Sequence, residues 1–111
     1  MKVILHDDYY RVYTSDPAAS TGRMESIVEL IKPHVEFVKA QPASEDQIAF
    51  AHDSTQIECV RQAGLYPIVA LAAGGAVQAA TLGLLEPCFG LIRPPGHHAS
   101  FGSCWGRMCW H

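Results

Sequence analysis

The segment that most restricts the fold is residues 65–85, which carry no formally charged side chain and are rich in alanine, leucine and valine. As a helix this segment is long enough to cross a lipid bilayer. Gln78 and Thr81 lie inside it, however, and no basic flank marks a cytoplasmic side. The small residues Gly74 and Gly75 let a helix lie close to a sheet. We therefore expect a helix wholly buried in an α/β core, and no membrane partner.

The composition fits one small globular domain. The chain has 111 residues, of which 49% are hydrophobic and 17% charged, so it can bury a core without disulfides or a structural metal. A net charge of −3 without a lysine or arginine run argues against nucleic acid as a partner. The first residues form too short an apolar run for a signal peptide. We therefore expect a cytoplasmic protein whose four cysteines are reduced thiols.

Hydrophobic patterning predicts three strands, at residues 2–5, 35–38 and 88–92. The third is apolar on both faces and is therefore expected at the centre of the sheet. Helices are predicted between these strands, so the order β-α-β-α-α-α-β indicates a parallel sheet wrapped by helices.

Capping residues mark where the predicted helices begin. Ser20 or Thr21 can cap a helix over residues 22–32, and Ser44 one that runs to about residue 52. Ser54 can cap a helix over residues 55–63, and Pro67 opens the long apolar helix, which runs to about residue 85.

Residues 93–100 read Arg-Pro-Pro-Gly-His-His-Ala-Ser, and this segment carries the strongest functional signal. The prolines fix φ, so the turn that presents His97 and His98 is stiff. Two adjacent imidazoles can divide proton transfer between them. In parallel sheets, ligands gather at the carboxyl ends of the strands. A turn directly after the third strand therefore predicts an active-site element.

Residues 90–99 resemble, almost letter for letter, the signature of the histone deacetylase and acetylpolyamine amidohydrolase superfamily. Weaker similarities precede it in the same order: the opening strand followed by Tyr9, residues 51–53 with the helix after them, and residues 72–77. The resemblance covers nearly the whole chain but only the beginning of a family catalytic domain, roughly its first third.

This resemblance implies the N-terminal part of an arginase/deacetylase-type parallel sheet with flanking helices, with residues 1–111 as one partial domain. The family hydrolyses N-acetyl amides, of the acetyl-lysine or acetylpolyamine type, with zinc that polarises the carbonyl and activates water. Carried over by position, His97 would be the general base. His98 would be the general acid or electrostatic partner, and the backbone of Gly106 would line the substrate tunnel.

The sequence departs from the family pattern after Gly106. The Asp-x-His pair that supplies zinc ligands in the family does not occur in the chain, and Arg107 stands where a tunnel wall would be aromatic. We therefore expect these residues alone to bind no zinc natively and to be inactive, with a small acetylated substrate bound only if the site is completed. The abrupt loss of agreement suggests a frameshift or an artificial end.

A sheet of about three strands leaves edges and apolar faces uncovered, so a homo-oligomer is expected. This leaves a non-catalytic, self-associating binding module derived from the same fold as the alternative function. A third possibility is a metal site formed by Cys104, Cys109 and His111 with the histidine pair, within one subunit or across two. The Cys-x4-Cys spacing is not that of a usual zinc finger.

Other polar residues have simpler interpretations. Asp7, Asp8 and Asp16 could contact a cationic polyamine, but such a cluster is more typical of a solvated loop with turn-forming aspartates. His6, His34 and His52 are expected to pack or to cap helix ends.

Overall fold

A computed structural model describes residues 1–12, 15 and 17–95. Three strands and four α-helices follow one another in this part of the chain: β1 (Lys2–Leu5), α1 (Arg23–Ile31), β2 (Glu36–Lys39), α2 (Glu45–Ala49), α3 (Ser54–Gln62), α4 (Tyr66–Gly83) and β3 (Cys88–Gly90). Short 3₁₀ turns occupy Asp7–Tyr10, Pro17–Ala19 and Lys32–His34. The expectation of an α/β chain with a small parallel sheet and flanking helices is confirmed.

The strands form a parallel sheet in the order β2-β1-β3. The prediction that residues 88–92 form the central strand is wrong, because β1 is central and β3 lies at an edge of the described sheet. Ile4 is fully buried, whereas Phe89 in β3 is 53% exposed. An apolar run indicates burial on average, but it carries no information on which strands pair beside it. The register places Val3 between Phe37 and Phe89.

Both faces of β1 are covered. Val3 and Ile4 point to opposite faces, since side chains alternate along a strand, and both are buried. Helix α4 packs on the face of Ile4, where a methyl group added at Gly90 would lie 3.4 Å from the Ala79 side chain. Val3, on the other face, belongs to the same core cluster as the apolar side chains of α1, which include Met24 and Ile27. Both faces of the central strand therefore belong to the core.

The long helix α4 is buried only in its first half, so the expectation of a wholly buried helix is wrong. Residues 68–72 and Gly74-Gly75 are buried, whereas Val77 is 43% exposed. In the described part of the chain, α4 is the helix long and apolar enough to cross a membrane, by length and composition. The first half is buried because residues 68–70 pack with side chains of α2 and α3, and Leu71 and Ala72 belong to the main core.

Two of the predicted helix caps differ from those in the structure. Ser44 caps α2 as expected, in a box where its hydroxyl accepts from the Gln47 amide and the Gln47 side chain accepts from the Ser44 amide. The cap of α3, however, is Asp53, whose carboxylate accepts from the Gln56 amide at 2.8 Å, so Ser54 is the first helical residue. Helix α1 follows Gly22, at φ +86°, without a side-chain cap.

Candidate functional site at the carboxyl edge of the sheet

The carboxyl ends of β2 and β3 lie on either side of the carboxyl end of β1, at one edge of the sheet. The Ala40 amide, just after β2, donates to the Leu5 carbonyl at 2.9 Å, and the Leu91 amide, just after β3, donates to the Ile4 carbonyl at 3.0 Å. The segments that leave β2 and β3 are therefore fixed to β1 at this edge. This is the edge at which parallel α/β proteins bind ligands.

Tyr9 lies at this edge in the 3₁₀ turn after β1. It is 1% exposed, and its hydroxyl donates a 2.7 Å hydrogen bond to the Leu71 carbonyl oxygen in α4. A methyl group at Gly75 would come within 2.5 Å of this hydroxyl, so the approach of α4 requires a glycine there. Burial raises the pKa of Tyr9 to about 12. The phenol is therefore a neutral donor at pH 7.

His6 organises the same turn. Its Nδ1 accepts a 3.0 Å hydrogen bond from the Asp8 amide and caps the turn, and its ring meets the Tyr9 ring edge-on at a centroid distance of 6.1 Å. The expectation that His6 packs or caps is confirmed. The side chains of Asp7 and Asp8 are exposed, in agreement with a solvated turn. Asp16 lies outside the described residues.

Among the residues that the structure describes, the other two histidines lie away from this edge. His34 is exposed in the 3₁₀ turn before β2. His52 lines a cavity between α2, α3 and α4.

Arg93 begins the Arg-Pro-Pro turn and lies deep in the protein. It is only 9% exposed, Pro94 is also buried, and Arg93 lines a small cavity with Tyr9, Tyr10 and Met24. The base of the turn is therefore packed at the carboxyl edge, beside Tyr9. The sequence pattern predicts no role for Arg93 apart from the turn that presents the histidine pair. The sequence feature that points to Arg93 is its position directly after the apolar stretch at residues 88–92.

The predicted catalytic residues His97 and His98 and the predicted substrate-lining Gly106 lie outside the described residues. The same holds for Cys104, Cys109 and His111, so the metal site considered for them stays a prediction.

The described residues do not fit a zinc ion. Within residues 1–12, 15 and 17–95, no three histidine, cysteine, aspartate or glutamate side chains come close enough together to hold a metal. Cys59 is exposed and Cys88 half-buried, and both are free thiols. Together with the lack of an Asp-x-His pair in the sequence, this means that no reaction step through zinc can be assigned to these residues.

The class that the fold and this edge define is a small parallel α/β protein, with helices flanking the sheet and a buried tyrosine and arginine at its carboxyl edge. In comparisons with known proteins, no protein-family model matches the chain, and no curated protein matches it significantly.

Proposed function

We propose that this chain is the N-terminal segment of a zinc-dependent, deacetylase-like amidohydrolase, and that its 111 residues alone do not hydrolyse N-acetyl amides. The observation that carries the proposal is the sequence segment Arg-Pro-Pro-Gly-His-His, which is separated by two residues from the end of the parallel strand β3. The packing of Arg93 and Pro94 at the carboxyl edge supports the proposal, because parallel α/β proteins bind their ligands at this edge of the sheet.

Within this proposal the residues of the chain divide into reacting and positioning groups. His97 would act as the general base that takes a proton from the attacking water. His98 would act as the general acid that gives a proton to the leaving amine, or as an electrostatic partner that carries a positive charge. Tyr9 holds the turn after β1 against α4 and is a positioning residue, since its hydroxyl is already bonded to Leu71. The zinc of the family polarises the acetyl carbonyl, and its ligands have to come from outside these residues.

A chimeric enzyme tests this assignment. Residues 1–106 replace the corresponding N-terminal third of an active acetylpolyamine amidohydrolase, whose remaining chain supplies the zinc ligands. We expect zinc-dependent hydrolysis of acetylpolyamine or acetyl-lysine substrates that is lost in the His97→Ala chimera. His34→Ala is the matched control, because His34 is exposed before β2, and it should leave the turnover unchanged.

The isolated chain is assayed in parallel for bound zinc and for turnover. A chimera that folds, as judged by circular dichroism and gel filtration, but hydrolyses no acetyl amide would contradict the family assignment. Stoichiometric zinc and turnover in the isolated chain, both lost in His97→Ala, would contradict the proposed inactivity.

A non-catalytic, self-associating module is the second candidate, and the observation that favours it is the exposed edge strand β3. Phe89 in this strand is 53% exposed, and Leu84 and Leu85 just before it are more than four-fifths exposed. Unpaired strand edges with apolar side chains promote association. Light scattering should then give a dimer or larger species for the wild type and a monomer for Phe89→Ser. Phe50→Ser, at an exposed phenylalanine outside the sheet, is the control. A monomeric wild type excludes this candidate.

A further inference from the structure

Helices α2, α3 and α4 enclose an apolar cavity that the proposed function does not use. Its volume is about 250 Å³, and it shares no lining residue with the cavity of Tyr9 and Arg93. The side chains that form most of its wall are apolar and come from all three helices: Ile48, Ile57, Val60, Tyr66, Val69 and Ala73.

The lining of this cavity favours a neutral ligand. It contains no aspartate, glutamate, lysine or arginine, and its members with polar groups are Gln47, His52, Gln56 and the hydroxyl-bearing Tyr66. Gln47 is held in the capping box of α2, and Gln56 is 3% exposed and engaged within the protein. A charged ligand would lose its hydration in this cavity without gaining a charged partner.

The size of the cavity sets the size of the ligand. A dry apolar cavity of roughly 150 Å³ is enough to bind benzene. The volume of about 250 Å³ found here therefore fits a molecule of two fused rings better than a single ring.

One wall of the cavity carries the aromatic ring of Tyr66, and Arg61 lies against this ring. The Arg61 guanidinium lies 4.5 Å from the centre of the Tyr66 ring. The same guanidinium pairs with Glu45 of α2 at 3.1 Å and with Glu58 of α3 at 3.2 Å. Arg61 thus links the three helices around the cavity, and a fixed aromatic wall favours the packing of a planar ring.

The cavity is accessible from the surface. Ala51, Ala76 and Val77 line it and are themselves exposed, Val77 by 43%. A small molecule can therefore enter without the separation of the helices.

We propose that this cavity is a binding site for a neutral, planar, mainly apolar molecule of about two fused rings. The proposal goes beyond the proposed amidohydrolase function, because it involves different residues and requires neither the histidine pair nor a metal.

Chemical-shift mapping with indole as the probe tests the proposal on the full chain. We expect saturable shifts confined to residues of α2, α3 and α4 around the cavity. Tryptamine and indole-3-acetate, which add a positive or a negative charge to the same rings, should bind at least about tenfold more weakly, because an unpaired buried charge is costly.

A matched pair of substitutions on α4 completes the test. Ala76→Leu adds bulk to the cavity rim and should raise the Kd for indole at least about tenfold. Ala80→Leu makes the same change one turn further along, at an exposed alanine outside the cavity, and should leave the Kd unchanged.

Three results would overturn the proposal: no saturable shifts in the wild-type protein, shifts centred on the sheet, or equal affinity for indole and its charged analogues. The wild-type measurement decides the question even if Ala76→Leu does not fold. An inactive amidohydrolase chimera would not change the indole-binding measurement, so each of the two proposals can be contradicted without the other.

Discussion

The hydroxyl of Tyr9 and the carbonyl oxygen of Leu71 are joined by a buried 2.7 Å hydrogen bond. This bond connects the turn after the central strand β1 to the buried half of α4. It forms only because Gly75, next to the hydroxyl, has no side chain. The carboxyl edge of the sheet and the long helix are therefore held in a fixed relation by one phenol.

Removal of this hydroxyl should destabilise the fold. We expect Tyr9→Phe to lower the free energy of unfolding by about 1–2 kcal/mol, since the ring stays in the core but the buried hydrogen bond to the Leu71 carbonyl is lost. Urea denaturation measures the loss. Tyr10→Phe is the control, because Tyr10 is only half-buried, and its effect should be within about 0.5 kcal/mol of zero. Equal effects of the two substitutions would mean that the bond to Leu71 contributes nothing.

The stability of the protein should fall at alkaline pH through the same group. The pKa of Tyr9 is raised by burial from 10.0 to about 12, so between these values the unfolded chain has lost a proton that the folded chain still holds. The contribution of Tyr9 is therefore complete below pH 10 and is lost as the pH rises toward 12. Urea midpoints from pH 8 to 12 should decline less steeply in Tyr9→Phe than in the wild type. Parallel curves would contradict the raised pKa.

Gly74→Ala should be strongly destabilising. A methyl group at this position would overlap the backbone of residues 41–43, including the Gln41 carbonyl oxygen, and backbone cannot rotate away as a side chain can. We expect a loss of about 3 kcal/mol or more, measured by thermal or urea denaturation.

Gly83→Ala is the matched substitution at the end of the same helix. Nothing lies within 4 Å of a methyl group at Gly83, and alanine is the better helix former, so this variant should gain about 0.5–1 kcal/mol. If both substitutions have the same sign, the close contact of α4 with residues 41–43 is absent in solution.

The cap of α3 can be assigned by two alanine substitutions. Asp53→Ala should cost about 1 kcal/mol because the Gln56 amide loses its acceptor, whereas Ser54→Ala, at the first helical residue, should have little effect. Denaturation midpoints distinguish the two. A larger loss of stability in Ser54→Ala than in Asp53→Ala would show that Ser54, the residue predicted from the sequence, caps α3.

Local features of the fold followed from the sequence because local physics determines them. The strand at residues 2–5 and the capping box at Ser44 depend on side-chain spacing and on hydrogen bonds within four residues. Where two capping residues stand side by side, the pattern does not decide between them, and at α3 the acceptor is the carboxylate of Asp53.

The arrangement of strands could not be predicted in this way. The apolar stretch that contains β3 has the composition of a central strand, but its place in the sheet depends on which segments cross over to pair with β1. The exposure of the second half of α4 has the same origin, since burial depends on which elements pack beside the helix, and α2 and α3 pack against its first half. His97, His98 and Gly106, which carry the proposed chemistry, stay predictions of the sequence.

The central position of β1 also has a consequence for the order of folding. Lys2 pairs with Glu36 and with Cys88, so β1 is synthesised before either of its partners, which come from the middle and the far end of the described chain. At translation rates of about 5–20 residues per second, several seconds pass between the synthesis of β1 and that of β3. For that interval the nascent chain holds an apolar strand with at most one neighbour. β1 is therefore most exposed to aggregation before β3 is made, and slower translation would lengthen that interval.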